Sequence, residues 1–366
     1  MVDMEKFLKE FNETFDEKNK CEIINRHRIW LNVSDVCDLS CIYCSSFCDI
    51  KSAKKTNFMT LDTAIKSINN ALEEFNTNKL KICFFGGEPL LNRQLIYDVV
   101  DYCNKRDDVT FTFSVSTNAL RLDEEFIDFI SKNNFDSVQI SIDGNEDIQN
   151  KQRPKVENRY YPKRYSITDK IEMLLKKVDN NIITARATFT PYSLHISDTF
   201  KYLADLGFKK IHFEPNISRE KLSINNDESI NILNDEIKKL TKLFFEYKDS
   251  GKINRLIPLS NYYDILTYSN CLVHNCEAGI RRYAYSVDGK RSPCHMVKGA
   301  EPEKLKEAIQ KRDNECNNCA YNNICQGLCL GAIYYAENDY TLSCKLHKMY
   351  IQEMVNELNN RDLLLK

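Results

Sequence analysis

The chain has 366 residues, 42% of them hydrophobic and 28% charged, enough for one large domain and a smaller one beside it. Its 51 Lys and Arg against 53 Asp and Glu give a formal net charge of -2, which argues against sequence-independent nucleic-acid binding and a polybasic membrane role. A small molecule or a peptide is the expected partner, with no nucleic acid and no membrane.

The first 20 residues, MVDMEKFLKEFNETFDEKNK, are charged and amphipathic rather than a signal peptide, and no apolar run is long enough to span a bilayer, so a cytoplasmic location is expected. From 29 to about 215, short β-branched and aromatic runs alternate with longer segments of helical period, which predicts βα units around a parallel sheet. Strands are expected at 29–33, 80–85, 110–116, 137–142, 182–190 and 210–214, with helices such as 61–75 and 124–132 between them. Six βα repeats fit an incomplete (β/α)6 TIM-type barrel, with chemistry at the C-terminal strand ends. A helical stretch at 227–247 leads to a cysteine-dense tail, and 345–358 is amphipathic. The expected division is a helical extension at 1–28, a partial barrel at 29–225, a helical bridge at 226–270, a cysteine-rich domain at 271–344 and a C-terminal helix at 345–366.

Fifteen cysteines in CxxC-type groups point to metal rather than disulfides. Directly after the first strand, Cys37, Cys41 and Cys44 are spaced CxxxCxxC, with Tyr43 before the last. Three thiolates on one loop hold three irons of a [4Fe-4S] cube and leave the fourth open to a small ligand. A structural zinc site is the other reading, but such sites usually close four ligands from paired knuckles. The triplet resembles that of the radical SAM enzymes, in which the open iron chelates the amino and carboxylate groups of S-adenosyl-L-methionine (SAM).

Strand two ends in FFGGEPLL, where Gly86 and Gly87 permit close backbone approach and Glu88 offers a carboxylate to an ammonium group. Taken alone this is a strand-to-helix turn; with the cysteines it resembles the GGEP motif that receives the methionyl amine of SAM. Strand three ends in Ser116, Thr117 and Asn118, and strand four in Ser141, Ile142, Asp143 and Gly144, so small polar groups stand at successive strand ends. The chain is similar to the SPASM branch of the family, which implies SAM contacts from Ser141 and Arg153. Arg186 on strand five is the alternative partner for the SAM carboxylate.

In the tail, Cys276, Gly289, Cys294, Cys316, Cys319, Cys325, Cys329 and Cys344 resemble the SPASM pattern, with twelve residues between Cys276 and Gly289. Cys271 supplies an eighth thiolate. The resemblance implies two auxiliary [4Fe-4S] clusters, one on Cys271, Cys276, Cys294 and Cys329 and the other on Cys316, Cys319, Cys325 and Cys344, three clusters in all. Zinc in the CxxC segment is the alternative. Cys83 and Cys103 read as small core residues, and Cys48 as either an ordinary thiol or a group near the site mouth.

The resemblance implies reductive cleavage of SAM to a 5'-deoxyadenosyl radical and hydrogen abstraction from a ribosomally made peptide, ending in a thioether or other crosslink or in epimerisation. It also implies a flavodoxin- or ferredoxin-type electron donor. Sulfatase-type oxidation of Cys or Ser to formylglycine is the second reading, weakened because His295 stands where those maturases carry an Asp base; a histidine can still accept a proton, and the other reading of His295 is a group that supports the ligands of a cluster. A non-catalytic iron-sulfur electron carrier is the reading from another class. Only 36 residues precede Cys37, so no leader-binding winged-helix domain is expected there, and leader recognition is dispensable, built in or supplied by a separate protein. Asp143, Glu214 and the aromatic 262–268 segment are candidates to line a peptide channel.

Overall fold

The computed structural model describes residues 2–14, 27–44, 57–156, 164–216, 222, 224, 226–268, 278–297, 301–325, 329–335 and 341–364. Seven parallel strands lie side by side in chain order: β1 (His27–Ser34), β2 (Lys79–Gly86), β3 (Thr110–Thr117), β4 (Phe135–Ser141), β5 (Ile183–Phe189), β6 (Lys210–Pro215) and β7 (Arg255–Ile257). β8 (Arg282–Tyr285) joins the other side of β1 in parallel, and β9 (Arg291–Ser292) pairs with β8 in the antiparallel sense. The helices are α1 (Met4–Thr14), α2 (Leu61–Phe75), α3 (Arg93–Asn104), α4 (Glu124–Lys132), α5 (Glu146–Gln152), α6 (Thr168–Lys177), α7 (Ile196–Asp205), α8 (Asp227–Asp249) and α9 (Leu259–Tyr268). In the tail follow α10 (Pro302–Asn317), α11 (Asn322–Cys325), α12 (Leu330–Tyr335) and α13 (Thr341–Asn360).

The six expected strands are present to within two residues, and α2 and α4 have the expected ends. The sheet nevertheless has nine strands, because β7 and the β8–β9 pair extend it at both edges. The cysteine-rich segment is also more regular than expected, since α10 fills sixteen residues of it. The architecture is the expected α/β partial barrel followed by a cysteine-rich C-terminal region.

Local signals set the helix boundaries. Thr60 caps α2 through its hydroxyl to the Thr63 N–H, and Asn76 closes it in the left-handed conformation with φ 46°. Asp123 and Asn226 cap α4 and α8 in the same way. Along the strands, period-two alternation separates two faces. Ala185, Ala187 and Phe189 of β5 and Ile211 and Phe213 of β6 are buried in the main apolar core. Arg186 and Thr188, which alternate with the β5 residues, and Glu214, which follows Phe213, line a cavity at the C-terminal strand ends.

Candidate functional site

The loop after β1 is seated on the end of β2 by backbone contact alone. The Gly87 N–H donates to the Ser34 carbonyl at 2.7 Å and the Glu88 N–H to the Val36 carbonyl at 2.8 Å. A Cβ on Gly86, whose φ is +147°, would stand 2.3 Å from the Ser34 oxygen, and one on Gly87 would stand 2.4 Å from the Val36 oxygen. Both positions therefore require glycine. On its other side the loop is held by 152–156: Ser40 N–H to the Pro154 carbonyl at 2.7 Å, Ile42 N–H to the Gln152 carbonyl at 2.9 Å, and Val156 N–H to the Asp38 carbonyl at 3.1 Å. Leu39, 1% exposed, anchors the middle of the loop in the core.

This clamp brings Cys37, Cys41 and Cys44 to one cavity of about 220 Å³. Tyr43, Gly86, Gly87, Glu88, Ser116, Asn118, Ser141, Arg153 and Arg186 line the same cavity, so every residue expected at a SAM site is brought together. Hydrogen-bond donors face the sulfurs. The Leu39 N–H lies 3.4 Å and Asn118 Nδ2 3.8 Å from Cys37 Sγ, and Arg153 Nη1 lies 3.8 Å from Cys41 Sγ. Donors around paired thiols on one loop suit metal-bound thiolates, so the residues present fit an iron-sulfur cluster. Among the described residues no three His, Cys, Asp or Glu side chains converge on a single-ion site.

Glu88 is 1% exposed and ties two strand ends together. Its Oε1 accepts from the Thr117 hydroxyl at 2.7 Å and the Leu90 N–H at 3.0 Å, and its Oε2 from the Asn118 N–H at 2.8 Å. Burial pushes its carboxyl up to about 7, against the lowering effect of those donors. A carboxylate has about four acceptor positions, so an ammonium group still finds one free.

Asp143 is not a channel residue: it is 2% exposed and serves as a hub. It accepts from Tyr43 Oη at 2.6 Å, Gln152 Nε2 at 3.1 Å, the Thr188 N–H at 2.9 Å, and Arg153 through Nε at 3.0 Å and Nη2 at 2.9 Å. Arg153 therefore spends its fork on Asp143, and its guanidinium also lies 5.3 Å from the centre of the Tyr43 ring. Arg186 is committed as well, with Nη2 donating to Glu214 Oε2 at 2.5 Å and Nη1 beside His212 Nδ1 at 3.1 Å. Burial works to raise the Glu214 carboxyl, but Arg186 and His212 outweigh it and hold the group well below the usual carboxylate range. Glu214 lines the cavity as anticipated; the 262–268 segment does not, because it lies in α9 with Tyr262 and Tyr263 buried.

His295 stands outside this cavity. It lies between Trp30 and Phe85, each ring centre 4.7 Å away, in a neighbouring water-sized space. Burial, then the charge of Arg186, pushes its ring down to about 3, which leaves it neutral and a weak base. The next residue, Met296, reaches the cavity instead. Thr188, Asn216 and Met296 are lining residues that the motifs did not reveal. Thr188 follows Arg186 by two on β5, so strand alternation carried the signal; Asn216 and Met296 carried none.

In the tail, burial raises the Cys344 thiol, followed by the charges of Cys316 and Cys319, which places these three in one neighbourhood. A Cβ on Gly331 would stand 2.8 Å from Met296 Cβ and 3.6 Å from Cys329 Sγ, so Cys329 lies on the side of Cys294. Cys271, Cys276, Cys21 and Cys48 lie outside the described residues. Cys83 and Cys103 are buried, 5% and 2% exposed, and burial pushes the Cys103 thiol up to about 12, as befits core residues.

Residues 31–166 match the Radical SAM superfamily. An uncharacterized protein of Methanocaldococcus jannaschii is 34% identical over 187 residues, which are 50% of this chain and 60% of that protein, so the match spans less than two thirds of that relative. The radical SAM cyclopropyl synthase TigE of Paramaledivibacter caminithermalis is 26% identical over 91% of this chain and 74% of that enzyme. The structure of native anSMEcpe with bound AdoMet and Cp18Cys peptide shares the fold, with a TM-score of 0.68 at 16% identity over 92% of this chain and 99% of that one.

Two outcomes are expected from this geometry. Gly87→Ala forces the Val36 backbone away and should destabilise the chain by about 1–3 kcal/mol in urea unfolding, the usual cost of overpacking; wild-type stability would refute the seam. Because the folded chain holds the Glu88 proton to about pH 7 and the unfolded chain only to about its ordinary 4.5, this group favours folding less as pH rises through that window. The stability gap between wild type and Glu88→Ala should narrow by roughly 3 kcal/mol from pH 4.5 to 7. A constant gap would show that the carboxyl titrates normally.

Proposed function

From the match of residues 31–166 to the Radical SAM superfamily, we propose that this chain is a radical SAM enzyme and a SPASM-type peptide maturase. The observation that carries the reading is the single cavity shared by the three cysteines of the first loop, the Gly86–Glu88 turn and the polar ends of β3, β4 and β5. Cys37, Cys41 and Cys44 would hold the SAM-binding cluster. Cys271, Cys276, Cys294 and Cys329 would hold one auxiliary cluster, and Cys316, Cys319, Cys325 and Cys344 the other. The grouping of Cys344 with Cys316 and Cys319 supports that division.

When bound, cluster and SAM supply a 5'-deoxyadenosyl radical that abstracts hydrogen from the peptide. The chain's own residues orient and shield. Gly86 and Gly87 leave room for close approach, Glu88 receives the methionyl amine at its remaining acceptor position, and Ser116, Asn118 and Ser141 offer polar contacts along the strand ends. Thr188, Glu214, Asn216 and Met296 add to the wall, against which a peptide residue would lie.

Two relatives bear on the substrate: TigE is named a cyclopropyl synthase, and the anSMEcpe structure holds a peptide. Formylglycine formation is the less supported outcome here, because at the position of those maturases' base the side chain is His295, which lines the neighbouring space between Trp30 and Phe85, while Met296 lines the cavity. A flavodoxin- or ferredoxin-type protein would supply the electron.

The anaerobically reconstituted chain, given SAM and a reductant, should release 5'-deoxyadenosine, and replacing Cys37, Cys41 and Cys44 by Ala together should abolish it. Release that survived the triple substitution would sink the assignment. Incubated in heavy water with a peptide encoded beside its gene, the enzyme should remove two hydrogens per crosslink or introduce one deuterium per epimerised residue. An unchanged peptide, together with conversion of a sulfatase-type peptide to formylglycine, would select the other activity.

A further inference from the structure

The guanidinium of Arg153 is held so that it serves a cysteine rather than a ligand in the cavity. Two of its nitrogens are bound to Asp143 at 3.0 and 2.9 Å, and the third, Nη1, points to Cys41 Sγ at 3.8 Å. The side chain is 9% exposed and its Asp143 partner 0%, so the pair sits in low dielectric, where charge acts strongly. Asp143 is itself fixed by Tyr43, Gln152 and the Thr188 N–H. Swinging the fork toward a carboxylate in the cavity would break two charge-assisted bonds and leave Asp143 buried without its cation.

We infer that Arg153, oriented by Asp143, sets the reduction potential of the iron-sulfur cluster at Cys37, Cys41 and Cys44, with Asn118 as a weaker second donor. The inference rests on the function proposed above. Uptake of one electron from a low-potential donor of the flavodoxin or ferredoxin class adds one negative charge beside Cys41, with no bond made or broken. A fixed cation at the sulfur stabilises that charge and raises the potential, and hydrogen bonds to cluster sulfurs act in the same sense. Asn118 Nδ2 adds a neutral donor 3.8 Å from Cys37 Sγ while also bonding Asp38 Oδ1 at 2.7 Å, so its effect is smaller. The Asp143 carboxylate opposes Arg153 from behind, which fixes opposite signs for the two halves of the pair.

The test is a potentiometric titration of the anaerobically reconstituted full chain followed by electron paramagnetic resonance. The signal of this cluster is the one missing when Cys37, Cys41 and Cys44 are all Ala. Its midpoint should fall in Arg153→Gln, return most of the way in Arg153→Lys, and rise in Asp143→Asn. Asn118→Ala should lower it by a smaller amount, and this variant carries the test if the buried pair does not tolerate substitution. An unchanged midpoint in Arg153→Gln and Asn118→Ala would overturn the inference, as would weaker SAM binding by Arg153→Gln at an unchanged midpoint. If the triple Ala variant lost no signal, the proposed function itself would fall, an outcome distinct from a cluster that is present but insensitive to Arg153.

Discussion

The site depends on one steric constraint, the contact between the backbone of Gly86–Gly87 and that of Ser34–Val36. Nothing larger than hydrogen fits at either glycine, because a Cβ would stand within 2.4 Å of a carbonyl oxygen. The cysteine loop is thereby placed directly against the end of β2, backbone on backbone, with Asn32 Oδ1 and Cys37 Cβ also close to the two glycines. Everything else at the cavity is tied to that seam: Glu88 fastens the end of β2 to that of β3, and the 152–156 segment grips the far side of the loop. A site built at successive strand ends needs such lateral ties, since each strand alone fixes only its own last residues.

The two carboxylates of the cavity are pushed in opposite directions by surroundings that differ in burial and in the charge of the partners: Glu88 is 1% exposed and the Glu214 side chain 51%. Glu88 is met by a hydroxyl and two backbone N–H groups, which are neutral, so desolvation prevails and its carboxyl rises to about 7. Glu214 faces a guanidinium and an imidazole, and their charge outweighs the desolvation it suffers and lowers its carboxyl. Divergent environments of this kind give two acids different roles in one pocket. Glu88 remains sensitive to an arriving cation, whereas Glu214 has its cation already.

Much of this was legible in the sequence because it is local. Alternating runs such as FTFSVST and ITARATF declared β3 and β5, and the spacing of Cys37, Cys41 and Cys44 and the GGEP turn located the cavity wall. The short strands β7, β8 and β9, of three, four and two residues, are too brief to show a clear alternation, and β8 is defined by its pairing with β1 on one side and β9 on the other. The partner of Arg153 was hidden for the same reason. Asp143 lies ten residues earlier, across a short helix, and only the folded turn brings the carboxylate under the guanidinium. For His295, the residue type invited a catalytic role, while its neighbours Trp30 and Phe85, far off in sequence, decide that it faces aromatic rings instead.

The tail shows where apolar burial stops being enough. α13 is anchored by Tyr350, Ile351, Met354, Val355 and Leu358, all buried in the main core. Between the strands and that helix, Ala308, Leu330 and Ile333 are the buried members, among the described residues, of a separate small cluster that Leu305 and Ile309 join at its edge. Beside this small cluster stand the described thiols of the segment: Cys344 near Cys316 and Cys319, and Cys329 near Gly331, which packs on Met296. Under the proposed function the same cysteines that carry electrons also fold the segment that presents them, so loss of metal would loosen the wall contributed by Met296 before it disturbed the sheet.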